Sequence, residues 1–450
     1  MDPVWLARLQ FAITVGFHFI FPPLTIGLGW LLVMIEWKGW RHGDEDCVRL
    51  GKFFGKLFGI TFAMGVATGI VMEFQFGTNW AQYSKFVGDV FGAPLAAEGV
   101  FAFFLESSFL GLYLFGRNRL PKWAHWFSSL MVAVGATLSA FWIIVANSWQ
   151  QTPAGYKIVE GAMGRHAELT DFWAAVFNPS TIHRYGHTID AALVSGAFFM
   201  MGVAAWMLLK KRDEAAAAKA FRLALIFGFV VSMASLFPTG HEHARQVART
   251  QPEKFAAIEG LYRSQTRAPI VIFAFPTSGP PPQWKSYIEI PPLLSLMAFG
   301  DVNAHVQGID AFKPEDLPPL LPTFATFHIM VGLGLLFIVL TGWGVLMLWL
   351  GRLWSQRWFL RLMVWAAPLP VVACEVGWLT AEIGRQPWIV YHEMRVSEAI
   401  SQSVSAGEIL FSMTLLCAIY TLLGALWLYL MFREIRKGPE ARSAGPAARA

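Results

Sequence analysis

Five residues can ligate a metal or carry a proton although almost everything around them is apolar. They are His18 in GFHFIFPP, Glu98 and Glu106 in AAEGVFAFFLESS, His187 in YGHTIDAALVSG and Glu375 in PVVACEVGWLTAEIGRQPW. An ionisable group in a hydrocarbon environment is costly, so its presence points to function. A carboxylate such as Glu375, beside Cys374, needs a metal, a cation or a proton to offset its burial. Glu98 and Glu106 stand two helical turns apart on roughly one face, the spacing of a polar relay. Taken singly, His18 also suits a hydrogen bond between helices, and Met330 in HIMVGLG also suits simple packing. A His-plus-Met pair fits a low-spin electron-transfer haem iron, and a single or weaker ligand leaves iron open to oxygen.

The elements that position these residues are membrane helices. Of 450 residues 55% are apolar, 15% aromatic and only 14% charged, which leaves too little polar surface for a soluble domain of this length. Nine stretches have about the length a bilayer requires: 9–37, 57–76, 93–115, 124–149, 185–209, 223–238, 324–350, 362–383 and 409–432. Pro22 and Pro23 should kink the first. The net charge of +5 is spread over short connecting loops, which fits membrane orientation and excludes a nucleic-acid patch. Five such segments hold 21 of the 35 Lys and Arg residues; the other side holds 14, of which 7 fall in one long loop where the orientation rule hardly counts. The N-terminus is therefore expected outside and the C-terminus in the cytoplasm. With that topology His18, Glu98, His187, Met330 and Glu375 all lie within about 15 Å of the outer surface. Cys47, Cys374 and Cys417 have no paired spacing, so neither a disulfide framework nor covalent haem attachment is expected. The first apolar run lacks the flanks of a cleaved signal and reads as a retained span.

The segments RLQFAITVGFHFIFPPLTIG (8–27), GKLFGITFAMGVATGIVMEFQFGTNW (55–80), VGDVFGAPLAAEGVFAFFLESSFLGL (87–112), LSAFWIIVANSWQQTP (138–153), HIMVGLG (328–334) and EVGWLTAEIGRQPW (375–388) resemble subunit I of the cytochrome bd-type quinol oxidases. The resemblance runs over nearly the whole chain. It implies an all-α, polytopic integral membrane protein of about nine transmembrane helices in the bacterial cytoplasmic membrane. It further implies a respiratory terminal oxidase that oxidises quinol, reduces dioxygen to water and separates charge without a proton pump. Three haems are implied: a low-spin haem b, a high-spin haem b and a chlorin-type haem d. So are a second membrane subunit and, in some members, a very small third one. Carried over by position, His187 and Met330 match the axial pair of the low-spin haem. His18 and Glu375 match the axial ligands of the other two, with the assignment between them left open. Glu98 matches a carboxylate beside that di-haem site, and Glu106 a member of the inward proton path, with Ser107, Ser139 and Asn147 as polar companions. Arg385 and Arg8 suit haem propionates, since a guanidinium pairs a carboxylate bidentately, and Trp378 and Trp388 suit either porphyrin packing or an interfacial aromatic belt.

The chain divides into helices one to six (1–238), an extracytoplasmic quinol-binding loop (239–322), helices seven to nine (323–436) and a cytoplasmic tail (437–450), rich in Ala, Arg, Gly and Pro, that is expected to be disordered. The loop is too long and polar for a simple connection. Its QPEKFAAIEG (251–260) resembles the family's quinol site, with Lys254 and Glu259 at the functional positions. A carboxylate there can accept a quinol proton while a lysine steadies the developing anion. AFPTSGPPPQW (274–284) reads as a connector, and His241 and His243 in TGHEHARQ as loop surface. Two other classes use similar features. A secondary transporter has kinked helices and buried carboxylates, but no use for a His187/Met330 haem pair. A haem-bearing anchor would not need both His18 and Glu375.

Overall fold

A computed structural model describes residues 2–161, 164–276 and 284–440. Most of the connector at 274–284 and the tail beyond residue 440 lie outside those residues. Among the described residues nine helices are long and apolar enough to cross a membrane: Pro3–Arg41, Glu45–Thr78, Ala81–Phe115, Lys122–Gln151, Thr181–Leu209, Glu214–Thr250, Leu320–Trp349, Arg357–Ile383 and Ala406–Lys437. They are called spans one to nine below. Polar caps fix several ends. The Asp44 carboxylate accepts from the Asp46 and Cys47 amides at 3.0 and 3.2 Å, and Ser405 with Glu408 forms a capping box at the start of span nine. The expected kink is present: helical bonding in span one breaks at Ile20, just ahead of Pro22.

Span five is the hub. In its most apolar window 72% of residues are buried inside the chain, against 11% for span nine and 17% for spans three and eight. Spans one and five cross backbone to backbone at Gly27 and Gly196, where an added Cβ would stand 2.1 Å from the Ala192 carbonyl oxygen or 2.2 Å from the Gly27 carbonyl carbon. Lipid offers no hydrophobic drive between helices, so such close approach of small residues is how membrane helices gain contact.

Three spans depart from the expected boundaries by about a dozen residues, and the first is span two, which begins at Glu45 instead of 57. Span three begins at Ala81, twelve residues before the apolar run, because 81–92 forms helix in spite of Lys85 and Asp89. Span six does not stop at Pro238. Helical backbone breaks in a kink at Phe237, which is extended at φ −133° and ψ 121°, and helix resumes over His241–Thr250. That corrects the placing of His241 and His243 on a loop surface: both line the central cavity, and the His243 ring lies 5.7 Å from that of His187. The rest of the described loop contains a short helix, Pro252–Glu259, strands Ile270–Pro276 and Trp284–Ile290 paired antiparallel, and a second short helix, Leu293–Phe299. A hairpin of Tyr156–Gly161 with Gly164–Leu169 joins it at the same end of the bundle.

Candidate functional site

The spans enclose a cavity of about 1610 Å3, larger than the roughly 300–1,000 Å3 that serves one small ligand. His18, Glu98, Glu106, His187, Met330, Arg8, Arg385, Lys254 and Glu259 all line it. Glu375 does not. Its carboxylate faces span one, 3.6 Å from where a Cβ on Gly16 would lie, and its Oε1 is buried without a partner.

His18 is oriented by span two. Its Nδ1 lies 2.9 Å from the Thr68 hydroxyl, which itself donates to the Met64 carbonyl at 2.9 Å. With the Thr68 hydroxyl donating to its own helix, an Nδ1–H directed at Thr68 would leave Nε2 its lone pair, the tautomer an axial ligand requires. Gly69 leaves room for the ring, since a Cβ there would stand 3.1 Å from His18 Cε1. Thr68 escapes sequence reasoning because a threonine in a membrane helix commonly bonds only its own backbone. His187 sits beside the kink of span six, where a Cβ on Gly240 would come within 3.3 Å of its ring, and its Nδ1 is buried without a partner. The Met330 sulfur reaches across to span eight, 2.8 Å from where a Cβ on Gly377 would lie.

Glu98 opens a π-helical turn, Glu98–Phe103, in span three and accepts a hydrogen bond from Ser139 at 2.7 Å. Glu106 is buried on the same span, its backbone pressed against Gly135 of span four, and the Ser107 hydroxyl is buried without a partner. Asn147, expected with these carboxylates, instead belongs to a second polar cluster. There it donates to Glu382 at 2.9 Å and accepts from Arg184. Arg385 donates to Gln150 at 2.8 Å and to Glu382, and Gln150 donates to Tyr83. Arg184, one turn before His187, and Glu382, two turns after Glu375, were not singled out from the sequence. A lone polar residue near a helix end reveals nothing of partners on other spans.

Lys254 and Glu259 occupy the first and last turns of the short loop helix. Lys254 is buried and donates to Gln151 Oε1 and to the Ala381 carbonyl, both at 3.1 Å. Burial, reinforced by Arg184 and Arg385 and opposed by Glu382, pushes its ammonium well below the usual lysine range. Glu259 is buried too, and that burial raises its carboxyl to about 7. Trp378 lines the cavity, whereas Trp388 lies in a short strand under the Arg395 guanidinium, 4.5 Å from its ring centroid.

These residues fit haem. The volume exceeds one ligand, His18 presents a free nitrogen, and the buried Nε atoms of Arg184 and Arg385 have no partner. Two guanidinium cations, Arg184 and Arg385, act on the single Glu382 carboxylate, a positive excess that a propionate would balance. Among the described residues no group of three or more His, Cys, Asp and Glu gathers as a metal site. Axial ligation of a macrocycle needs only one or two protein donors.

A family model described as cytochrome bd terminal oxidase subunit I matches residues 6–439. The chain is 41% identical to cytochrome bd ubiquinol oxidase subunit 1 of Bacillus subtilis, over 98% of this chain and 95% of that one. It is 34% identical to cytochrome bd-II ubiquinol oxidase subunit 1 of Escherichia coli, over 98% of both. It is 33% identical to a putative cytochrome bd menaquinol oxidase subunit I of Bacillus subtilis, again over 98% of both. Among solved structures it is similar to the bd oxidase of Geobacillus thermodenitrificans, with a TM-score of 0.90 and 30% identity over 97% of this chain and 99% of that one.

Proposed function

The chain belongs to the cytochrome bd terminal oxidase subunit I family, and from that premise we propose how its residues divide the work. It is the haem-bearing catalytic subunit of a quinol:dioxygen oxidoreductase, a multi-pass protein of the bacterial inner membrane that works with a subunit II. The observation that carries the division of roles is that nine of the ten candidate residues face one cavity.

Haem supplies one-electron transfer and, where iron is left open, a site for oxygen. In our reading His187 and Met330 hold a low-spin haem b, and His18 and Glu375 hold a high-spin haem b and a haem d. The Nε2 lone pair of His18 supports its role, as does the buried, unpartnered Oε1 of Glu375. Arg385 and Arg8 receive propionates, with Arg184 as a further candidate. Glu259 accepts a proton from the quinol hydroxyl at the loop end. Glu106 and then Glu98, held by Ser139, pass protons towards the oxygen side of the cavity. The distribution of Lys and Arg supports a loop and N-terminus outside and a C-terminus in the cytoplasm. Each quinol gives up its protons outside while oxygen draws its own from the cytoplasm, so charge separates without a pump.

The test is a reduced-minus-oxidised spectrum of the purified two-subunit complex, recorded with quinol-supported oxygen uptake. Low-spin and chlorin bands with uptake are expected. A complex with a single low-spin haem and no uptake would make the chain an anchor instead.

A further inference from the structure

The short loop helix Pro252–Glu259 is gripped at its first turn by two neighbouring side chains that point to different partners. On one side Glu253 accepts from the Tyr391 hydroxyl and faces His392 Nε2 at 3.5 Å. Tyr391 and His392 follow the GRQPW segment, their rings stacked 4.0 Å apart. The Tyr391 amide donates to the Gln150 carbonyl at 2.9 Å, which ties this turn to the end of span four. His392 holds a φ of 59°, a conformation that costs a residue other than glycine energy and persists where surrounding contacts over-determine it.

On the other side the Lys254 stem runs past Gly384, where a Cβ would stand 3.0 Å from its Cγ and Cε. Its nitrogen then bridges Gln151, at the end of span four, and Ala381, in the last turn of span eight. A cation or N–H donor at a helix C-terminus satisfies carbonyls that have no helical partner. Two N–H groups of the Lys254 nitrogen are thus engaged by these two acceptors. Glu259, at the far end of the same helix, also faces the cavity, and among the described residues no hydrogen bond engages its carboxylate.

We propose that Glu253 and Lys254 are paired anchors that clamp the loop helix onto the ends of spans four and eight, and that Lys254 is a positioning residue that serves quinol oxidation without touching the quinol. This rests on the reading that quinol is oxidised beside Glu259. It also gives Gly384 a reason: any side chain there would displace the lysine stem.

The experiment measures hydrogen exchange over 252–259 in the assembled oxidase, together with quinol KM and kcat, for Lys254→Met, Tyr391→Phe and Glu259→Gln. Tyr391→Phe removes only the hydroxyl that grips Glu253. The anchor predicts that Lys254→Met and Tyr391→Phe each speed exchange by about tenfold, the scale of one lost buried hydrogen bond. Both should raise quinol KM, with kcat held within about twofold. If Lys254→Met raises KM while exchange stays at the wild-type rate, the lysine touches the quinol and the proposal is overturned. Unchanged exchange and KM in Tyr391→Phe would overturn the anchor even if Lys254→Met fails to assemble. Glu259→Gln controls the premise. Unchanged quinol kinetics there would remove the quinol site from this helix, while the exchange results would still decide the anchor.

Discussion

At the residue scale, the chemistry rests on side chains whose second contacts fix their state. His18 depends on Thr68, and Glu98 on Ser139. Met330 has only its sulfur to offer. Met330→Leu should therefore turn the low-spin haem high-spin or lose it, with quinol oxidation falling in step; an absorption spectrum with unchanged low-spin bands would remove Met330 from the ligands. Glu259 yields a pH prediction. Its carboxyl is raised by burial to about 7, and only the ionised form accepts a proton. Quinol oxidation should rise with pH through that value and fall below it, and Glu259→Gln should flatten the profile. A profile of the same shape in that variant would move the acceptor elsewhere. The candidate ligands and carboxylates were legible because a charged or ligating group stands out against apolar neighbours. Glu382, Arg184, Glu253 and Tyr391 were not, because each acquires its meaning from partners far away in sequence, as Tyr391 does from Glu253.

At the scale of elements, hydropathy located the nine spans because lipid demands a continuous apolar run. It failed where a helix leaves the apolar layer. Residues 81–92 carry Lys85 and Asp89, and His241–Thr250 is polar throughout one face, yet both are helical. Pro238 looked like a stop; the chain instead kinks at Phe237 and resumes as helix, with Gly240 against His187. The Gly27 and Gly196 crossing is the clearest packing constraint in the bundle. Gly196→Leu would drive a side chain into the Gly27 backbone, and no flexible neighbour can yield there. Loss of assembled, haem-loaded protein is expected, measured as haem per purified chain. Wild-type haem content would show that spans one and five need not touch.

At the scale of the whole molecule, the cavity spans the distance from the loop helix to Glu106, so the proposed quinol and oxygen chemistry would share one enclosure. The peripheral spans expose most of their apolar surface: only 11% of the window in span nine is buried within the chain, leaving faces for lipid and for subunit II. Glu106→Gln keeps shape and removes an exchangeable proton. It should slow oxygen reduction while the low-spin bands persist, and normal oxygen uptake in that variant would take Glu106 out of the path. The central claim is that quinol protons leave on the loop side while oxygen takes its protons from the other. An oxygen pulse given to proteoliposomes of the unmodified two-subunit enzyme tests it most directly. The account predicts acidification on the loop side by about one proton per electron, the stoichiometry of quinol oxidation. Acidification on the opposite side, or none with full oxygen uptake, would contradict it.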